Sequence, residues 1–258
     1  MNPTILIFPN LDDLSLLAAE LFVFQAKEAV QARGRFLTAL SGGSTPQPLY
    51  HLLRQSPFAE NMPWDKTFIF WGDERLVPPD DSQSSYGLTA DHLLNHVPIP
   101  PNHIYRALGE TELATAIADY TSKLQTFGRP WPRFDLILLG MGHDGHTASL
   151  FPGPILPPEK TDPIIGVTAQ YDGRPAQRIT FTPRLINAAH HILFLTAGAS
   201  KAQALQHVLE GDINPQQWPA QRIQPTNGAI TWLIDEPAAQ LLKVTIQAPG
   251  TSLPNLPE

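Results

Sequence analysis

Residues 134–153 read Phe-Asp-Leu-Ile-Leu-Leu-Gly-Met-Gly-His-Asp-Gly-His-Thr-Ala-Ser-Leu-Phe-Pro-Gly. The apolar run Leu136 to Leu139 has the pattern of a buried strand, and it breaks abruptly at Gly140 and Gly142. A strand of this kind belongs inside a sheet covered by other elements. In a parallel sheet, its carboxyl-end break is where small ligands bind. Asp144 and His146 stand in that break with one glycine between them. The segment therefore supplies both a location and a candidate proton-transfer group.

Strand and helix patterns alternate around it. Thr4 to Phe8 reads as a strand, followed by a helix from about Asp12 to Arg33 with Leu14, Leu17, Leu21 and Phe24 on one face. Asp12 or Asp13 is the expected cap. Arg35 to Leu40 is a second strand, and a helix opens at Pro46 and runs to about Gln55. Thr67 to Trp71 is a third strand, followed by a polar loop to Tyr86. Helices near Leu88–Asn95 and Glu112–Phe127 precede the strand Asp135–Leu139. In the second half, Arg178–Phe181 and His191–Thr196 read as strands and Ser200–Leu209 as a helix. Ala229–Leu242 reads two ways: Ile230, Leu233, Ile234 and Leu241 form a helical stripe, but Pro237 would kink it. Val244–Gln247 is the expected last strand, ahead of a proline-rich tail.

This alternation predicts an α/β fold with three αβα layers and a largely parallel sheet covered on both faces. The 258 residues contain no repeat, no Gly/Ser linker and no shift in composition, so 1–258 is expected to be a single α/β domain. Apolar residues make up 42% and charged ones 16%, which places the chain among folded rather than disordered proteins. A net charge of -7 argues against general nucleic-acid binding. With no cysteine, disulfides, thiol nucleophiles and cysteine-ligated metals are excluded. No apolar run approaches membrane-spanning length and no basic leader precedes the first strand, so a cytoplasmic protein that engages neither membrane nor nucleic acid is expected.

Four segments carry candidate chemistry. Ser41, Gly42, Gly43, Ser44 and Thr45 join a strand to a helix, and converging amides and hydroxyls there suit an oxyanion such as phosphate. The loop lacks the lysine of a Walker motif and the spacing of a dinucleotide fingerprint. Asp73, Glu74 and Arg75 follow the third strand; Arg75 suits phosphate or carboxylate, while Asp73 and Glu74 are placed to orient it or to exchange protons. In Asp144-Gly145-His146, the residue types suit proton transfer: a histidine can accept a proton from water at working pH, and a nearby carboxylate can fix its tautomer. Thr147 to Ser149 then reads as a first helical turn or a capped bend. Gly198 to Lys201 follows another strand and adds Lys201; Arg178 is a further cation ahead of its strand. Because each loop follows a strand, all four are expected on one edge of the sheet, lining one pocket.

The remaining residues are less informative. His92, His96, His103, His190 and His191 show no partner pattern, and Trp218 and Trp232 read as packing. No G-x-S-x-G elbow points to a serine hydrolase, and no His/Asp/Glu cluster has metal-ligand spacing.

At these residues the chain resembles the 6-phosphogluconolactonase family, which is marked by an SGGSTP loop, a DER-x-VP segment, an LLGMG-x-DGHTASLFPG segment and a later G-x-x-K. They stand here as Ser41–Pro46, Asp73–Pro78, Leu138–Gly153 and Gly198–Lys201. The stretch Trp218–Pro225, Trp232 and Asp235-Glu236 is similar to the family's C-terminal pattern, and the likeness runs from about residue 36 to 242. Two departures are Ser84-Ser85, where the family commonly has Ser-Asn, and Pro237, where it has alanine. The resemblance implies a fold similar to the sugar-phosphate isomerase and CoA-transferase-like group. It implies hydrolysis of 6-phospho-D-glucono-1,5-lactone to 6-phosphogluconate in the oxidative pentose phosphate pathway, with no cofactor and no metal. The implied partner is the small sugar-phosphate lactone, and the implied state is a monomer or small homo-oligomer. His146 would be the general base, Asp144 its orienting partner, and the Ser41–Thr45 loop with Arg75 and Lys201 the holders of phosphate and oxyanion, with Asp73 and Arg178 beside them. A glucosamine-6-phosphate deaminase-like isomerase and a non-catalytic sugar-phosphate sensor are the alternatives. The deaminase group carries Asp-Glu-Tyr where Arg75 stands, and Asn-Glu-Pro within the region of Ser149 to Pro152.

Overall fold

The computed structural model describes residues 3–169 and 175–243. Along the chain the strands are β1 (Thr4–Phe8), β2 (Phe36–Leu40), β3 (Thr67–Trp71), β4 (Asp73–Arg75), β5 (Leu136–Gly140), β6 (Ile164–Thr168), β7 (Gln177–Phe181), β8 (His191–Thr196) and β9 (Ala229–Asp235). The helices are α1 (Leu11–Arg33), α2 (Gln47–Leu53), α3 (Phe58–Asn61), α4 (Ser85–His92), α5 (Leu113–Gln125), α6 (Pro183–Ile186), α7 (Ala202–Glu210) and α8 (Glu236–Ala239).

Six strands pair in parallel in the order β1-β9-β8-β5-β2-β3. Their side chains alternate between two apolar layers. Leu37 and Ala39 of β2, Ile137 and Leu139 of β5, and Ile192 and Phe194 of β8 enter one layer with Ala116, Tyr120 and Leu124 of α5 and Leu205 of α7. Phe36, Leu40, Leu136, Leu138, Leu193 and Leu195 enter the other, covered by Leu14, Ala18 and Phe22 of α1 and Leu49 and Leu53 of α2. Burial on both faces explains why these strands read as unbroken apolar runs. In sheet order, β2 leads to β3 on one side whereas β5 leads to β8 on the other. The winding therefore reverses between β2 and β5, and a crevice opens outside their carboxyl ends.

Asp135, just ahead of β5, locks this arrangement. Its buried carboxylate accepts the Arg33 Nε–H at 2.7 Å and the Leu37 backbone N–H at 2.7 Å, joining the end of α1 and the start of β2 to β5. Asp135→Ala leaves a buried donor unpaired, at a cost of about 2 kcal/mol. For a chain of this size that corresponds to a Tm roughly 4–8 °C lower by calorimetry, with turnover per folded molecule unchanged.

Several expectations are corrected. The cap of α1 is Asn10, whose Oδ1 accepts the Asp13 N–H at 2.9 Å; Asp12 and Asp13 fall inside the first turn. Ala229–Asp235 is a strand, held between β1 and β8, and its burial on both faces hides any alternation. Pro237 lies in the first turn of α8, where its missing N–H costs nothing, so it opens a helix instead of kinking one. Of the two readings for Thr147 to Ser149, the structure has the bend, closed by a Thr147–Leu150 bridge. The Arg178–Phe181 strand, β7, leaves the main sheet: β4, β7 and β6 form a separate antiparallel sheet. Asp73–Arg75 is therefore a short strand of that second sheet and not a loop, although, like the other three candidate segments, it directly follows a strand of the parallel sheet, β3. His92 has a partner after all, the ring of His51 at 2.5 Å between nitrogens, and His191 bonds Thr231 at 2.9 Å inside the core. Val244–Gln247 and the tail lie outside the described residues. Among the described residues, no helix is long and apolar enough to cross a membrane.

Candidate active site

A cavity of about 590 Å³ opens at the carboxyl ends of the parallel strands. Ser41, Gly42, Gly43, Ser44, Thr45, Asp73, Arg75, His146, Arg178 and Lys201 all line it. Residues scattered over 160 positions in the chain thus meet in one place.

The loop after β2 is pinned from below. Buried Tyr50 of α2 accepts the Ser41 N–H at 3.2 Å and donates to the Ser41 carbonyl at 2.5 Å. Burial pushes its phenol well above the ordinary range, so it stays a donor. Tyr120 does the same at the end of β3, accepting the Trp71 N–H at 2.7 Å and donating to its carbonyl at 2.9 Å. Gly42 leaves no room for a side chain: a Cβ would strike Ser85. Gly43, at φ +92°, takes a left-handed turn that carries the loop over the cavity.

The loop after β5 carries Asp144 and His146. Asp144 Oδ1 lies 2.5 Å from His146 Nδ1 and also accepts the His146 backbone N–H at 3.2 Å. A carboxylate on Nδ1 fixes the Nδ1–H tautomer and leaves the lone pair on Nε2. The loop closes on itself through Gly142 N–H to His146 O at 2.8 Å and Gly145 N–H to Gly142 O at 3.1 Å. A Cβ on Gly142 would run into the imidazole of His146 and the Asp144 carboxylate, so the glycine break is what admits the pair. Further on, Ala148 holds φ +47°, a conformation that costs of order 1 kcal/mol in a non-glycine residue. Its neighbours fix it: Thr147 Oγ1 donates to Gly140 O at 2.8 Å, and Ser149 Oγ donates to Asp73 Oδ2 at 2.6 Å.

The antiparallel sheet supplies the opposite wall. Alternation along β4 turns Asp73 and Arg75 toward the cavity and Glu74 away. Glu74 neither orients the Arg75 guanidinium nor faces the site. Its buried carboxylate accepts the Arg75, Ser85 and Tyr86 backbone N–H groups at 2.7–2.8 Å and the Ser84 hydroxyl at 3.2 Å, and so anchors the start of α4. Burial raises its pKa, and the three backbone donors oppose that rise. Arg75 is steadied by its Nη1 donating to Gln83 O at 2.6 Å. Its partner across the strands is Arg178. Lys201 enters from the turn after β8, where Gly198 donates to both oxygens of buried Asp235 at 2.9 Å, and Asp235 also caps α8.

The three cations named from the sequence, Arg75, Lys201 and Arg178, all line the cavity. Sequence reasoning passed over Ser85, Met141, His143 and Ala148, which also line the cavity. Three of those sit inside the glycine-broken segment, where their position next to His146 was the available signal. An imidazole with a defined tautomer, donors for an oxyanion and a cluster of cations suit base-assisted attack of water on an anionic carbonyl substrate.

Residues 9–232 match the family model described as glucosamine-6-phosphate isomerases/6-phosphogluconolactonase. The chain is 39% identical over 249 residues to a 6-phosphogluconolactonase of Nostoc sp., covering 95% of this chain and 100% of that one. Its fold superposes on the 6-phosphogluconolactonase from Trypanosoma brucei with a TM-score of 0.81 at 26% identity, covering 93% of this chain and 99% of that one. A monomeric glucosamine-6-phosphate deaminase shares the fold with a TM-score of 0.80 at 24% identity, covering 92% and 99%.

Proposed function

The chain belongs to the glucosamine-6-phosphate isomerase/6-phosphogluconolactonase family, and on that premise we propose that it hydrolyses 6-phospho-D-glucono-1,5-lactone to 6-phospho-D-gluconate, a step of the oxidative pentose phosphate pathway. The observation that carries this reading is His146, held through Nδ1 by Asp144, lining the same cavity as the Ser41–Thr45 loop, Arg75, Arg178 and Lys201. Arg75, where the deaminase group has tyrosine, favours the lactonase within the family.

In this reading His146 Nε2 takes a proton from water as the oxygen attacks the lactone carbonyl carbon. The carbonyl oxygen becomes an oxyanion, and Asp144 stabilises the imidazolium. When the tetrahedral species collapses, the bond from the carbonyl carbon to the ring oxygen breaks and His146 returns the proton to that oxygen. The product carboxylic acid then ionises to water. Arg75, Arg178, Lys201 and the donors of Ser41–Thr45 hold the phosphate and the developing oxyanion, while Asp73 stands ready for a sugar hydroxyl. A lactone is an activated ester, so the scheme draws on neither a covalent nucleophile nor a metal. The same reading takes the enzyme as cytoplasmic, acting as a monomer or small homo-oligomer.

The test is a side-by-side assay on freshly prepared phosphogluconolactone and on glucosamine-6-phosphate. Acid release from the lactone well above its spontaneous rate, without ammonia release from the amino sugar, is the expected result. The reverse preference overturns the assignment.

A further inference from the structure

The stretch Trp218–Pro225 stands out in the sequence, and none of it enters the mechanism above. It braces the catalytic loop from outside the cavity. Ala220 N–H donates to Gly145 O at 2.9 Å, and Gly153 N–H donates to Gln216 O at 2.8 Å. Trp218 packs against Gly145 on one side and stacks on His207 at 4.5 Å on the other.

Arg222 makes the most specific contact. Its Nε donates to Pro215 O at 2.8 Å and its Nη1 to the two Glu159 oxygens at 3.3 and 3.1 Å. Its Nη2 donates to Phe151 O at 3.3 Å and Gly153 O at 3.2 Å. All five N–H donors of the fork are used, in a pair whose side chains are only 5% and 4% exposed. The carbonyl of Phe151 is therefore held by a rigid, buried group. The ring of Phe151 lies 5.0 Å from the His146 ring, and the Arg178 guanidinium carbon lies 5.4 Å from the same ring. Phe151 thus touches both the base and one of the cations, and Arg222 decides where Phe151 stands.

We propose that Arg222 is a positioning residue for the hydrolysis, acting through Phe151 to fix the separation of His146 and Arg178. The proposal rests on the lactonase reading. A lysine would keep the charge opposite Glu159 but cannot reach the two loop carbonyls with the same fork. Catalysis is sensitive to displacements of this kind near the reacting atoms.

Two variants test it. Arg222→Lys removes the fork, and Phe151→Leu keeps the apolar volume while removing the ring, with the clamp left in place. Each is assayed for kcat, KM and the pH profile of kcat/KM, and the His146 imidazole is titrated by NMR. The expected result for both is kcat lower by about tenfold, KM raised severalfold, and a displaced His146 titration. A purely structural role lowers the folded fraction alone and leaves KM, the pH profile and the NMR titration unchanged, which overturns the proposal. If Arg222→Lys fails to fold, Phe151→Leu decides by the same criteria. Wild-type protein without lactone turnover defeats the lactonase reading. In that event the NMR titration still rules on Arg222, since an unmoved His146 in Phe151→Leu refutes the link.

Discussion

His146→Ala is expected to lower kcat by about a thousandfold, the range of a positioned general base, with KM within a fewfold of wild type. Water is a weak nucleophile, and His146 is the cavity imidazole that a carboxylate, Asp144, holds through Nδ1 at 2.5 Å. Removing the ring deletes an interaction made mainly in the transition state, so kcat and kcat/KM should fall together. The cations and the Ser41–Thr45 loop stay in place, and they should still bind the phosphate. Residual turnover above the spontaneous rate then measures what those groups supply alone. The measurement is initial-rate acid release on fresh lactone, and near-normal kcat would exclude the role.

Gly142→Ala is expected to cost about a hundredfold in kcat without unfolding the protein, in line with the penalty for misplacing a catalytic group by about 1 Å. The backbone at Gly142 lies outside the left-handed region, so alanine fits the chain conformation. Its Cβ, however, needs the space taken by the His146 ring and the Asp144 carboxylate. One of the two must move, and the Nδ1 contact is lost. Calorimetry should find a Tm close to wild type, while the NMR signature of the His146 ring changes. A fully active Gly142→Ala would mean that the pair tolerates displacement and that its geometry contributes little.

Much of the fold was legible because it depends on local pattern. The runs at Phe36–Leu40, Leu136–Leu139 and His191–Thr196 are apolar because each is buried on both faces, and the glycine break at residues 140–145 marks a strand end that must make room. The antiparallel sheet was not legible. β4 is only three residues long, and it pairs with a strand about a hundred positions away. Such register is set by tertiary contact, which no local pattern records. The period-2 rule applied to Asp73-Glu74-Arg75 would have separated Glu74 from its neighbours, since alternate residues of a strand face opposite ways. The stripe in Ala229–Asp235 misled because a central strand buried on both sides shows no polar phase to compare with a helix. The candidate site itself was legible in its members but not in its walls: Arg178 reaches the cavity only because β7 lies beside β4.

The register of β4 and β7 sets Arg75 directly opposite Arg178, two like charges on neighbouring strands, an arrangement that ordinarily weakens a sheet. On the proposed lactonase reading, an oxyanion lodged between them turns that opposition into attraction. On the same reading, folding and ligand capture are thermodynamically linked. The phosphate ester itself then offsets the like charges that the register brings together, and this acidic chain gathers three cations, Arg75, Arg178 and Lys201, at the mouth of its sheet.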